Sequence, residues 1–237
     1  GTDSEITTVG YYCNPIQYAE HRKTLENVIC TAGKFGATHV STFAGAWEGK
    51  PVESAYEEFG KVFRELADLA EEKGVKLGIE NCLMDGTWEH ATCNIGFNPK
   101  AWEVMFEEVK NDNFGLEWEP THQMVQLIDP VTELRKWCKK IVHIHGKDAT
   151  IDWDAVRHSG ISGAVPFVWH RMPGFGDTNW RDIISILRSN GYEDDICIEG
   201  YHDPVYSGEL EMTGQLHALN YLKWCRGGDF TPTPWEK

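Results

Sequence analysis

No CxxC pair occurs among the seven cysteines, which lie at positions 13, 30, 82, 93, 138, 197 and 225. An odd, scattered set supports neither a zinc ribbon nor a disulfide framework and reads as reduced thiols of a cytoplasmic protein. No apolar run approaches the length of a membrane-spanning helix, and the N-terminus has no signal-peptide pattern. No glycine-rich phosphate fingerprint follows any candidate strand, so a dinucleotide-binding fold has little support. Positive charge is scarce: 22 Lys and Arg face 37 Asp and Glu, for a formal net charge of −15. That balance repels phosphate backbones and anionic lipid, so neither nucleic acid nor a membrane is an expected partner.

The 237 residues are 41% hydrophobic and 25% charged, an ordinary globular composition. β-Branched and aromatic runs at 6–12, 37–43, 75–81, 114–120, 141–146 and 195–199 read as strands. Between and after them, helical spacing of apolar residues predicts helices at about 17–34, 53–73, 98–110, 129–139, 180–189 and 209–224. Pro99 and Pro130 follow Asn98 and Asp129, a cap followed by proline at the first helical position. Strand–helix alternation without a linker or composition break predicts one domain over 1–237, built on a parallel sheet. Two long connections, 82–97 and 149–177, are read as functional loops, and residues after Arg226 as a loose tail. Most of the ten tryptophans are assigned to packing.

Four of these strands reach a titratable residue at their carboxyl ends: Glu80, Glu119, His145 and Glu199. Parallel α/β folds collect such ends at one rim, where their chemistry sits. Three carboxylates together would repel or protonate without a cation among them. Three oxygens and an imidazole suit Mn²⁺ first, with Mg²⁺, Co²⁺ and Fe²⁺ close behind and Zn²⁺ as second choice. The competing interpretation is a set of buried salt bridges, which would need several inward cations. Only Lys147 and Arg171 are candidates. His143, two residues before His145 on the same strand face, is assigned to packing, and Asp148 to orienting Lys147 or a ligand histidine. Asn81 and His202 lie near the rim with even claims to substrate contact.

GYYCNP (10–15), IENC (79–82), WEPTH (118–122), HIHGKD (143–148), RMPGFGDTNW (171–180) and CIEG (197–200) stand in the order and spacing of the sugar-phosphate isomerase/epimerase family. The chain therefore resembles the xylose isomerase-like TIM barrel superfamily over nearly its whole length. The resemblance implies an α/β fold, a (β/α)8 TIM barrel that apparently lacks its first two strand–helix units. It makes Glu80, Glu119, His145 and Glu199 metal ligands and His122, Lys147 and Arg171 substrate contacts. Family members usually have Asp at position 119 and Asn at 117, so Glu117 is a carboxylate in need of a partner.

The activity implied is a metal-dependent sugar isomerase or epimerase. Glu80 and Glu199 would exchange a proton next to a carbonyl through an enediolate. A lyase or deglycosidase on 3-keto-glycosides is the close rival, since the same proton abstraction permits β-elimination. A phosphodiesterase of the endonuclease IV type shares the barrel but conflicts with the net charge. A non-catalytic sugar-binding or partner subunit is the remaining alternative. The expected partners are a small sugar or glycoside, preferably unphosphorylated, and a second copy or partner subunit completing the barrel.

Overall fold

A computed structural model describes residues 4–228 and 232–233. Gly1, Thr2 and much of the tail expected after Arg226 lie outside the described residues. The chain divides into two compact units: Gly1–His145 with Asp194–Cys197, and Gly146–Glu193 with Ile198–Lys237. No helix among the described residues is long and apolar enough to cross a membrane.

The first unit alternates strand and helix. Strand β1 (Thr8–Gly10) leads to α1 (Ala19–Ala32), β2 (His39–Thr42), α2 (Tyr56–Glu72) and β3 (Lys76–Glu80). Next come α3 (Pro99–Glu108), β4 (Phe114–Trp118), the short α4 (Pro120–Met124), α5 (Pro130–Trp137) and β5 (Ile141–Gly146). The sheet order is β1-β2-β3-β4-β5-β8, and the pairings from β1 to β5 are parallel. The last strand, β8 (Ile196–Ile198), arrives after the second unit's elements.

Local chemistry explains the boundaries. Helix α2 buries Phe59, Val62, Phe63, Leu66, Ala67 and Ala70, a stripe at helical spacing. Gly74 ends it with φ of 69°, a left-handed conformation at the C′ position that side chains disfavour. Asn98 accepts from Lys100 N at 2.9 Å and Asp129 from Val131 N at 3.0 Å, so both proline-preceded caps form as expected. Trp102, Trp118, Phe59 and Phe63 are fully buried, each stabilising the unit by about 1.5–3 kcal/mol. Three tryptophans, with Trp180 of the second unit, thus serve packing.

One irregularity positions the chemistry. Leu116 pairs with Ile141, but Glu117 pairs with His143, so the register shifts between Leu116 and Glu117. The shift skips Val142 and brings an imidazole opposite a carboxylate. Gly115 allows it, because a Cβ there would collide with the Lys140 carbonyl.

The second unit holds β6 (Asp148–Ile151), α6 (Trp153–Ser159), β7 (Val168–Arg171), α7 (Trp180–Ser189) and α8 (Glu211–Cys225). Strands β6 and β7 pair antiparallel, Asp148 opposite Arg171. The segment 149–177, read from sequence as a loop, is therefore a structured strand–helix–strand element. Its strands have four residues each and, among the described residues, pair only with one another, so neither carries a periodic signal of its own. Helix α8 buries Gly214, Ala218 and Leu222 and exposes Met212 and Leu216.

Candidate active site

Alternation on the strands of the first unit gathers its polar groups. Glu80 pairs in register with Glu117, and Glu117 with His143. Side chains two residues further along a strand share its face, which adds Glu119 and His145. Glu80, Glu117, Glu119 and His143 are buried, and His145 is half-buried. Glu119 lies one residue beyond β4, as the N-cap of α4, which sequence periodicity did not predict. Pro120 starts that helix and places His122 on its last turn, Nε2 3.3 Å from Glu119 Oε1.

Glu80, Glu119 and His145 each offer one ligand atom, all within 4.8 Å of one another. His145 Nδ1 is 3.0 Å from Glu80 Oε1 and 3.7 Å from Glu119 Oε2. Its Nε2 faces Glu117 Oε1 at 3.3 Å. Glu80, Cys82 and His122 form an overlapping group within the same limit. The backbone below is latched. Asn81 donates from Nδ2 to the Glu119 carbonyl at 2.9 Å, and its Oδ1 accepts from Glu119 N at 2.7 Å. Asn81 is fully buried, so it fixes Glu119 and is not a substrate contact as the sequence allowed.

Glu117 finds the partner that the sequence could not name. His143 Nδ1 meets its Oε1 at 2.7 Å, and the Tyr12 hydroxyl donates to its Oε2 at 2.9 Å. Burial raises the Glu117 pKa, but hydrogen bonds from His143 and His145 outweigh it and hold the carboxyl down to about 2. Burial dominates at Glu80 and raises its pKa; the His145 hydrogen bond opposes this, while Glu119 and Glu117 add to it. Burial also lifts the Tyr12 hydroxyl far above its ordinary value, with Glu117 adding to the rise. His143 is a packed, hydrogen-bonded imidazole, as expected.

In the second unit Lys147 Nζ donates to Glu199 Oε1 at 2.8 Å, with the lysine side chain buried. Glu199 N donates to the Gly146 carbonyl at 3.1 Å, at the end of β8. Arg171 Nε meets Asp203 Oδ2 at 3.3 Å and its guanidinium lies over the Phe175 ring. Asp148 departs from its expected role. It does not orient Lys147; it accepts backbone N–H groups of Ala149, Gly174, Gly176 and Thr178, fixing the turn 172–178. Asp203 does the same for Met172, Val205 and Tyr206. Sequence reasoning missed Asp203 and Tyr12. An Asp before proline is a turn signal that could have revealed the first; the second is one aromatic among many. His202 adopts φ of 71° and lies tilted against the Tyr201 ring and edge-on to His170.

Three buried carboxylates met by imidazoles and a phenol fit a divalent cation by donor chemistry. Oxygen and nitrogen ligands of this kind suit hard to borderline ions, and the surplus negative charge calls for one. Binding a cation would displace the proton that burial favours on Glu80, so affinity would rise with pH.

The model of the xylose isomerase-like TIM barrel family matches residues 3–223. Among curated proteins the chain is similar to an inosose dehydratase of Clostridium tetani, 26% identical over 182 residues, which are 75% of this chain and 57% of that protein. The chain thus spans a little over half the length of that relative. Among solved structures it is similar to a xylose isomerase domain protein from Planctomyces limnophilus, with a TM-score of 0.71 and 18% identity. That match covers 94% of this chain and 76% of the other. A D-psicose 3-epimerase is similar with a TM-score of 0.69 and 16% identity, over 94% of this chain and 79% of that one.

Proposed function

We propose that this chain, which belongs to the xylose isomerase-like TIM barrel family, is a divalent-metal-dependent lyase that removes water from a cyclic polyol ketone. The observation that carries the reading is the set of buried Glu80 and Glu119 with half-buried His145, whose ligand atoms lie within 4.8 Å of one another. Glu199 is the proposed fourth ligand, on the strength of its CIEG motif at the end of β8. Mn²⁺ is the first candidate ion. The inosose dehydratases supply the substrate class, since an inosose is a ring ketone with hydroxyls on the neighbouring carbons.

A bound divalent ion supplies Lewis-acid polarisation of the ketone, which acidifies the adjacent C–H. Glu80 and Glu199 are the proposed proton carriers. One carboxylate takes the proton from the carbon beside the ketone, and the other gives a proton to the hydroxyl on the next carbon. A C–H and a C–O bond break, a C=C bond forms, and water leaves. Lys147 steadies one Glu199 oxygen at 2.8 Å. His122 and Arg171 are the proposed contacts to substrate hydroxyls, Arg171 braced by Asp203.

Isomerase or epimerase activity, the first expectation from sequence, shares the proton abstraction and differs in the fate of that proton. In those reactions it returns, to the other face or to the neighbouring carbon, and no water is lost. The dehydratase relatives support elimination better, because the epimerase neighbour at 16% identity bears on the fold alone. Loss of an aglycone from a 3-keto-glycoside is the same elimination with another leaving group. The test is incubation of the full chain with an inosose and Mn²⁺ in D₂O, read by mass spectrometry. A metal-dependent product lighter by one water supports the lyase. Deuterium uptake without water loss moves the assignment to epimerase, and neither reaction with metal bound sinks both.

A further inference from the structure

We propose that the outward face of α8 is a self-association surface, on which a second copy of this chain docks its own α8 antiparallel to the first. The inference stands apart from the cation reading, because no residue of the candidate active site takes part in it.

Helix α8 is apolar on two opposite faces. Gly214, Ala218 and Leu222 are buried and form the inner one. On the outer one Met212, Leu216 and Leu219 are 75%, 60% and 41% exposed. Single exposed apolar side chains are ordinary, but these three are aligned. Spacings of four and then three residues hold them in one narrow stripe, and exposed Lys223 extends it four residues further. That is the a/d repeat of a seam that packs against another helix. A helix apolar on all sides is normally covered on all sides.

Charge names the occupant. Glu209 stands three residues before Met212, in the helical turn Gly208–Leu210 that leads into α8. Arg226 stands three residues after Lys223, as the C-cap of α8, and is still in right-handed helical conformation. Both are exposed. The seam is therefore acidic at its N-terminal end, apolar in its middle and basic at its C-terminal end. An antiparallel second copy, with the two-fold axis between Leu216 and Leu219, complements it at every position. Leu216 of each copy meets Leu219 of the other, Met212 meets the aliphatic stem of Lys223, and Glu209 meets Arg226. Each contact occurs twice, as an isologous interface requires. A parallel pair would set Glu209 against Glu209 and Arg226 against Arg226, with repulsion at both ends. Lys223, a charged residue within the seam, fixes the register while its ammonium reaches solvent.

The test is sedimentation velocity of the full chain and its variants at physiological ionic strength, with circular dichroism to establish that each variant is folded. Wild type is expected to pass from monomer to dimer as its concentration rises across about 1–200 µM. Leu216→Glu places a charge at the centre of the seam twice per dimer and should raise the Kd at least about 100-fold. Glu209→Arg and Arg226→Glu should each raise it about 10-fold, and the double variant should return to within about threefold of wild type. If Leu216→Glu does not fold, the charge variants decide. A wild type that stays monomeric across the range would overturn the proposal and leave the face to a different protein. A dimer insensitive to Leu216→Glu and Glu209→Arg, open-ended assembly in place of a dimer, or a double variant no better than its parents would overturn it as well.

Discussion

Carboxylates are satisfied differently in the two units. In the first, Glu80, Glu117 and Glu119 meet His122, His143, His145 and the Tyr12 hydroxyl. In the second, Glu199 meets the Lys147 ammonium, Asp203 the Arg171 guanidinium, and Asp148 a set of backbone N–H groups. Imidazoles and phenols give hydrogen bonds but little fixed positive charge. An ammonium or a guanidinium neutralises its carboxylate in place. The first arrangement therefore keeps a surplus of negative charge that a divalent ion can use, whereas in the second each carboxylate has part or all of its charge offset where it stands. Hydrogen-bond satisfaction and charge compensation are separate demands, and a site is recognisable where only the first is met.

The comparison breaks most visibly at Glu80. Glu80→Gln should lower turnover of an inosose with Mn²⁺ by about 10²–10⁴-fold in steady-state assays. Activity within tenfold of wild type would mean that the uncompensated charge of the first unit is not where the chemistry lies. Lys147→Met tests the other side. It removes a buried cation from beside the partly exposed Glu199, so urea denaturation should show a loss of about 1–2 kcal/mol. A neutral effect would mean that Glu199 does not depend on its ammonium.

Two aspartates of the second unit should respond to pH in opposite directions. Burial raises the Asp203 pKa, but backbone N–H groups of Tyr206, Met172 and Val205, with Arg171, outweigh it and lower the net value. Its contribution is present above the ordinary carboxylate range and is lost as pH falls through the depressed folded value. Burial raises the Asp148 pKa despite the opposing bonds from Thr178, Gly174 and Ala149. That group favours the fold most below its unfolded value, and the benefit fades as pH rises through the folded one. Asp203→Asn should thus cost about 2 kcal/mol near neutrality and flatten the acid limb of the stability–pH curve. Asp148→Asn should flatten the alkaline side of the same window. Identical limbs in both variants would refute the assignment.

Much of this was legible in the chain. Strand–helix alternation, the proline-preceded caps at Asn98 and Asp129, and the apolar stripe of α2 are local signals, and each element formed where they indicated. Glu80, Glu119 and His145 were readable because each closes an apolar strand. The structure brings these three together. What escaped depends on contacts distant in sequence. The β6–β7 pairing joins two four-residue strands with little periodicity, and the register shift at Glu117 is invisible until β5 is paired. Tyr12 reaches Glu117 across 105 positions, and no spacing rule spans that. Asp148 was misjudged because its neighbours in sequence, Lys147 and His145, suggested chemistry, while its actual donors lie near Gly174 and Thr178.

The smallest effect sharpens the comparison by holding distance constant. Arg64 and Glu108, on helices α2 and α3 of the first unit, approach to 2.8 Å, as Lys147 and Glu199 do in the second. Both members of the first pair are well exposed, at 48% and 41%, whereas the Lys147 side chain is exposed by 3%. Water screens the exposed pair, and holding two long side chains costs entropy that offsets the remaining attraction. Arg64→Ala should therefore change stability by less than about 1 kcal/mol, and less again at high salt. Lys147→Met should be insensitive to salt, because its charge lies out of solvent. Equal losses in the two variants would show that geometry, not solvent exclusion, sets the worth of these pairs, and the contrast between the units would lose its physical basis.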